Sequence, residues 1–270
     1  MSSPPQTPPR EQIVALFRER AREAAILCDI DGTLAPVVER AHDATVPPDT
    51  RRILAELSAR FALVACISGR QALQARRMVG LDSVTYVGNH GLERLAPRAE
   101  RPQLEPGLEE PAARVRAFAR SRYDAALEEA GVRLEDKDSI WAFHWRGAPD
   151  PARARALLED VAGAAEAAGL VPHWGRMVLE IRPTAAVDKG TAVDRALAGS
   201  PVRVALFGGD DTTDLDAFRR IRALESEGSL DVGVCVGVAS AESPQEITAQ
   251  ADLVVGGPRE FRDLLGRLAA

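Results

Sequence analysis

Cysteine is scarce in this chain: 270 residues hold three, Cys28, Cys66 and Cys235, each inside a strongly apolar run. An odd number of thiols in strand-like positions excludes a complete disulfide framework and makes no zinc site. They read as reduced core residues, which suits a cytoplasmic setting. Long apolar runs are missing too. None approaches the ~18 residues of a membrane span, and no basic-then-apolar signal opens the chain. Nor is positive charge in excess: 34 Lys and Arg stand against 40 Asp and Glu, a net charge of −6. That balance argues against nucleic acid or an anionic membrane as the main partner and leaves room for a local positive pocket for a small anion. No solenoid-like repeat is present. What remains is an ordinary globular composition, 46% apolar and 27% charged, in a chain long enough for one large domain or two smaller ones. Residues 1–10 (MSSPPQTPPR) read as a disordered Pro/Ser tail.

Helical spacing over Glu11–Glu23, with Ile13, Val14, Leu16 and Phe17 as its apolar stripe, precedes a buried strand at Ala25–Cys28. Asp49 or Thr50 caps a helix through Leu57, and Phe61–Ile67 is a continuous apolar strand of the kind found in parallel sheets. A helix to Val79 and a short strand Thr85–Val87 follow. Strand and helix alternation of this kind predicts an α/β doubly wound, mostly parallel sheet. From 96 to 111 four prolines among charges read as a linker, and the order then changes. A helix at 112–130, strands at 132–135 and 139–146, a helix at 151–168 and strands near 170–174 and 177–182 predict an antiparallel sheet with helices on one side. We read residues 101–183 as a smaller α+β domain inserted into a core made of 11–100 and 184–270. The doubly wound pattern resumes with a helix from Lys189 to Leu197, a buried strand at Val202–Phe207, a helix, a strand at 232–238, a short strand at 253–255 and a closing helix.

The chemistry collects at the strand ends. Asp29 and Asp31 follow the first strand, two apart, and along an extended backbone they would face the same side. Open α/β sheets bind ligands in that region. Ser68 ends the second strand; Asp210, Asp211 and Asp214 follow the strand at 202–207. Taken singly, these are an Asp-Gly turn, a strand-to-helix turn, a helix-start lysine at 189 and a capping cluster. Taken together, five converging carboxylates would repel and be desolvated at considerable cost unless a hard divalent cation joined them. Mg²⁺ prefers carboxylates, water and phosphate oxygens, so the acidic cluster predicts a metal and the metal a phosphate. Ser68 can donate to that phosphate, and Lys189 offers it a point charge.

Asp29-Ile30-Asp31-Gly32-Thr33, Ser68, Lys189 and Gly209-Asp210-Asp211 resemble, in order, the four motifs of the haloacid dehalogenase-like phosphatases. Within that superfamily, Ser68-Gly69-Arg70, the string 88–93 (GNHGLE), Phe143-His144-Trp145-Arg146, Glu180-Ile181-Arg182-Pro183, Lys189-Gly190 and 209–214 (GDDTTD) resemble the trehalose-6-phosphate phosphatases, from about residue 20 to the C-terminus. The resemblance implies a Rossmann-like core with an inserted cap and Mg²⁺-dependent hydrolysis of a sugar phosphate. Asp29 would be the nucleophile that becomes an aspartyl-phosphate, and Asp31 the acid and then the base. The Asp29 side chain, the Asp31 backbone carbonyl and Asp210 would hold the metal, with Asp211 and Asp214 behind them. Thr33, Ser68, Gly69 and Lys189 would hold the phosphoryl group. Arg70, Asn89 and His90 from the core, with Arg176 and Glu180 from the cap, would meet the sugar.

In one respect the chain departs from the family: Arg176 stands where a Lys precedes the Glu-x-Arg-Pro string. Charge is kept, but a planar fork replaces a point donor. Trp141, Phe143 and Trp145 alternate with His144 and Arg146, and packing against cap helices outweighs sugar stacking as their role. His42 and His173 carry no functional assignment. A related phosphatase of sucrose 6-phosphate or a glycosyl-phosphoglycerate, a phosphosugar mutase and a non-catalytic sugar-phosphate sensor are the alternatives. The sequence does not specify oligomeric state; a monomer is compatible with it.

Overall fold

A computed structural model describes residues 9–38, 44–175, 177–184, 187–241 and 243–270. The chain divides into two compact units, Met1–Gln103 with Val187–Ala270, and Leu104–Ala186.

The larger unit is built on β1 (Ala24–Cys28), β2 (Leu63–Ile67), β3 (Thr85–Gly88), β4 (Glu93–Leu95), β5 (Gln103–Leu104), β10 (Val204–Gly209), β11 (Val232–Val238) and β12 (Leu253–Val255), in the order β12-β11-β10-β1-β2-β3-β4-β5. From β12 to β3 the pairs are parallel, and β4 turns back antiparallel on β3. Every residue of β1 is buried, because each of its faces has its own core. Ala24, Ile26 and Cys28 pack with α1 (Arg10–Glu19), α2 (Pro48–Arg60), α3 (Ala72–Val79) and α10 (Pro258–Ala269). Ala25 and Leu27 pack with α7 (Lys189–Leu197), α8 (Asp214–Ser226) and α9 (Gln245–Gln250). The apolar stripe of α10, Phe261, Leu264, Leu265 and Leu268, is buried at helical spacing behind Pro258 at the helix start. Close approach there requires glycine in β10: a Cβ on Gly208 would lie 2.2 Å from the Phe261 ring.

The smaller unit carries β6 (Arg133–Lys137), β7 (Ile140–His144), β8 (Val171–Gly175) and β9 (Val178–Arg182) as an antiparallel sheet in the order β6-β7-β9-β8. Its core joins Trp141, Phe143, Trp145, Leu179 and Ile181 to Val115 and Ala119 of α4 (Glu109–Arg122), Leu127 of α5 (Ala125–Glu129) and Leu158 and Val161 of α6 (Pro151–Ala167). The aromatic alternation of β7 thus serves packing. Asp150 starts α6 by accepting the Arg153 N–H at 3.0 Å.

Several elements differ from the periodicity. The helix expected over 112–130 is broken in two at Tyr123–Asp124, since Asp124 caps a second start through the Leu127 N–H at 3.1 Å. The stretch 96–111 holds β5 and the start of α4, and β4 precedes it. The first helix stops at Glu19 and continues as a 3₁₀ turn at Ala21–Glu23. The helix α9 was not signalled. All three cysteines are free and buried, and burial pushes the Cys235 thiol up to about 12. Among the described residues no helix is long and apolar enough to cross a membrane.

Candidate active site

The backbone leaves β1 at Cys28 and turns at once. Asp29 N–H donates to Gly208 O of β10 (2.9 Å), and the Ile30 carbonyl accepts from both Leu34 (3.0 Å) and Ala35 (2.9 Å). Gly32 sits at the apex with φ +92°, and a Cβ there would lie 2.0 Å from Asp210 Oδ2. Left-handed backbone and lack of space together demand glycine. Asp29 and Asp31 are therefore not residues of one extended strand, as their spacing suggested. Asp29 is 5% exposed at the strand end; Asp31 lies in the turn, its side chain 39% exposed, and the two take different cationic partners.

The partner of Asp29 is Lys189, the first residue of α7. A capping box between Asp188 and Thr191 fixes that helix start. Lys189 Nζ donates to Asp29 Oδ1 (2.7 Å) and to Asp214 Oδ1 (2.6 Å), lies 3.9 Å from Asp211 and is 3% exposed. Burial works against its charge, yet Asp214, Asp29 and Asp211 outweigh it and hold the ammonium above the ordinary lysine value. No other side-chain hydrogen bond among the described residues reaches Asp29, so its second oxygen is available. Asp214 is fully used: its Oδ2 accepts the Asp210 (2.9 Å) and Asp211 (3.0 Å) amides. Burial pushes the Asp29 carboxyl up; Lys189 opposes this, while Asp214 and Asp210 add to it.

Asp29, Asp210 and Asp214 each place a carboxylate oxygen within 4.8 Å of the others. Asp210 accepts the Thr33 hydroxyl at 2.8 Å, yet burial raises it to about 7, the Thr33 contact opposing and Asp214 and Asp211 contributing. Asp211, more exposed, stays below the usual range: burial would raise it, but Lys189 and the Thr213 hydroxyl and amide lower it. With both Asp214 oxygens taken by Lys189 and two amides, Asp29 and Asp210 are left to present carboxylate oxygens, hard donors that fit a divalent cation.

Facing the turn is the loop after β2. Ser68 is buried, and its Oγ accepts the Arg70 N–H at 3.1 Å, which leaves its own proton to donate. Two left-handed residues, Asn89 (φ 50°) and His90 (φ 58°), hold the loop: their amides donate to Arg70 O (2.8 Å) and Ser68 O (3.1 Å). The His90 ring covers Gly69, where a Cβ would meet it at 2.6 Å. Arg70 turns to Asp31: Nε donates to Oδ2 (2.6 Å) and Nη2 to Oδ1 (2.6 Å). A further buried acid, Glu93, went unassigned in the sequence reading; it accepts the Ala72 N–H at 2.6 Å and anchors the start of α3.

Within the smaller unit, Glu180 accepts from Lys137 Nζ (2.8 Å) and Arg182 Nη2 (2.7 Å). Burial would raise its carboxyl, but these two cations hold it down to about 2. Glu180 pairs with Ala142 and His173 across the sheet, on the face opposite the apolar core. Lys137 carries no assignment in the sequence, and Arg182 enters there only as part of the Glu-x-Arg-Pro string. Arg182 stands two residues from Glu180 on the same strand, a period-2 relation open to sequence reading, whereas Lys137 lies on β6 and comes near Glu180 only through the strand pairing. Burial lowers the His173 imidazole, with Arg182 assisting. Arg176 and His42 lie outside the described residues.

Residues 27–252 match the family described as Trehalose-phosphatase. The trehalose-phosphate phosphatase of Mycobacterium marinum is 31% identical over 261 residues, covering 91% of this chain and 61% of that protein. A Mycobacterium tuberculosis protein described as an uncharacterized glycosyl hydrolase is 36% identical over 214 residues, 74% of this chain, and the chain spans only 15% of its length. Among solved structures, the C-terminal domain of the Candida albicans trehalose-6-phosphate phosphatase superposes with a TM-score of 0.70 at 21% identity, covering 100% of this chain and 99% of that one.

Proposed function

The chain belongs to the trehalose-phosphatase family, within the haloacid dehalogenase-like superfamily, and on that premise we propose that it hydrolyses trehalose 6-phosphate to trehalose and phosphate. The observation that carries this reading is Lys189, buried between Asp29 and Asp214 at the ends of β1 and β10. A buried nucleophile candidate with one oxygen pinned by an ammonium and the other open is what covalent catalysis needs.

Lys189 fixes the Asp29 carboxylate, and the open oxygen attacks phosphorus. As the Asp29–phosphorus bond forms, the bond to the sugar oxygen breaks and Asp31 gives that oxygen a proton. Water then attacks the aspartyl-phosphate, Asp31 takes the water's proton, and phosphate leaves with Asp29 regenerated and Asp31 ready for the next sugar. Ser68 donates to a phosphoryl oxygen, with Gly69 and Lys189 beside it. Thr33, expected at the phosphoryl group, is fully buried and spends its hydroxyl proton on Asp210, so in this reading it keeps Asp210 in place instead. Asp29, the Asp31 backbone carbonyl and Asp210 would hold Mg²⁺, with Asp211 and Asp214 behind them; bound there, the ion neutralises negative charge on the phosphoryl group. Glu180, held ionised by its two cations, is the acceptor we assign to sugar hydroxyls. The buried thiols suit a reducing, cytoplasmic compartment.

A phosphate-release panel with Mg²⁺ tests this, comparing trehalose 6-phosphate with sucrose 6-phosphate, glucose 6-phosphate and a glycosyl-phosphoglycerate. Preference for the first, abolished in Asp29→Asn with the fold retained, is the expected result. Equal turnover of all four would overturn the sugar assignment, and full activity of Asp29→Asn would overturn the nucleophile.

A further inference from the structure

The geometry points to Arg70 as a positioning residue that aims the Asp31 carboxyl for proton transfer to the leaving oxygen, a role that rests on Asp31 being the acid and base of the proposed reaction.

Both Asp31 oxygens sit in the guanidinium fork, each at 2.6 Å from its donor nitrogen. Such a bidentate pair fixes direction as well as distance. Each side of the fork grows from backbone that is tied down. On the Arg70 side the amide donates to Ser68 Oγ (3.1 Å) and the carbonyl accepts the Asn89 N–H (2.8 Å). Asn89 and His90 both hold left-handed backbone, at φ 50° and 58°. Asn and His tolerate that conformation better than most non-glycine residues, and here two in succession are held by their amide hydrogen bonds to Arg70 O and Ser68 O. On the Asp31 side the turn is closed by Gly32 N–H on Ala35 O (2.8 Å). A surface ion pair would need none of this support. The Arg70 side chain is 20% exposed and that of Asp31 39%, so the pair stands at the mouth of the site, where a leaving group departs.

Proton transfer requires one Asp31 oxygen to reach the leaving oxygen. The oxygen that carries the proton leaves its N–H contact while the other contact keeps the carboxyl aimed; that proton passes from Asp31 to the leaving oxygen as its bond to phosphorus breaks, and the attacking water later returns a proton to Asp31. Arg70 itself gives up no proton. A leaving group that departs as a stable anion has little need of this step. Arg70 therefore governs how strongly the rate depends on the leaving group, and a plain structural contact would not do so.

The test uses aryl phosphates, which carry no sugar, with Mg²⁺ and the full chain. Because kcat/KM covers events up to release of the aryl alcohol, it reads the acid step and not the later hydrolysis. In Arg70→Gln, kcat/KM should fall on the order of ten- to a hundred-fold for phenyl phosphate and only a few-fold for p-nitrophenyl phosphate. The double variant Arg70→Gln with Asp31→Asn should be no worse on phenyl phosphate than Asp31→Asn alone. Arg70→Lys, which keeps the charge but not the fork, should show the same selective loss, and it serves if the glutamine variant folds poorly. Equal losses on the two esters, additive effects of the two substitutions, or full recovery with lysine would overturn the assignment. If the unaltered protein released phosphate from no ester at all, the catalytic reading itself would fail, a result distinct from any of these.

Discussion

Lys189→Met is the sharpest perturbation this site offers. The side chain is of similar length, so packing survives while one charge is lost from a place that is 3% exposed. Asp29 and Asp214, at 2.7 and 2.6 Å from the ammonium, are left buried without it. Breaking a buried ion pair on one side costs about 3–5 kcal/mol, a large share of the roughly 5–15 kcal/mol that stabilises a folded domain. The loss should depend on pH in a set direction. Both carboxyls already stand above their ordinary 3.8, and removal of the lysine raises them further. An acid whose folded value lies above its unfolded value keeps its proton after the unfolded chain has released it. Stability is therefore lost as pH rises from about 4 through the raised folded value. Urea unfolding in EDTA should show the variant destabilised least near pH 5 and most near pH 8. Adding Asp214→Asn removes one stranded charge and should recover a substantial part of the loss at pH 8. A loss under about 1 kcal/mol at pH 8, or one that does not change between the two pH values, would refute the reasoning.

Asp210, raised to about 7 from 3.8, makes metal-free stability fall as pH rises from about 4 to about 7. Since a cation must displace any bound proton, Mg²⁺ should raise Tm more at pH 8 than at pH 6; equal shifts would contradict the assignment. Gly32→Ala forces a Cβ to 2.0 Å from Asp210 at φ +92° and should abolish the Mg²⁺-dependent Tm shift; a retained shift in thermal melts would count against the turn's role. Arg98, exposed and left-handed at φ 62°, should tolerate Arg98→Gly with a gain of up to about 1 kcal/mol in urea unfolding; a loss of stability would show that its side chain matters more than its backbone.

The strand ends were legible because buried parallel strands leave a strong local signature, and Asp29, Ser68, Lys189 and Asp210 each sit at the end of a strand or the start of a helix. Pairing was not legible. Nothing local says that Arg70 binds Asp31, 39 residues away, or that Lys137 binds Glu180, 43 residues away. The left-handed Asn89–His90 turn was hidden as well, because neither residue type announces that conformation as glycine does. Asp31 was misplaced onto the strand because period-2 reasoning ignored what Gly32 permits: a turn that begins before the strand reaches it. Asp214 reads as one more acid in a cluster, and only its three hydrogen bonds reveal it as the peg on which Lys189 and two amides hang.

The pairing of Ala24 with Val204 also sets an order of events at the ribosome. The central strand β1 emerges with β2 close behind it, but its other edge waits for β10. At about 5–20 residues per second, the intervening chain of ~180 residues takes roughly 9–36 s to synthesise. Through that interval an apolar strand stands with one row of backbone groups unpaired, the condition that invites association between nascent chains. The smaller unit, with an apolar core of its own, can complete its fold inside the same interval and shorten the loop that must later close. Lys189 and Asp210 arrive with the second half, so a chain interrupted before residue 189 carries the nucleophile candidate but neither its lysine nor its acidic neighbour.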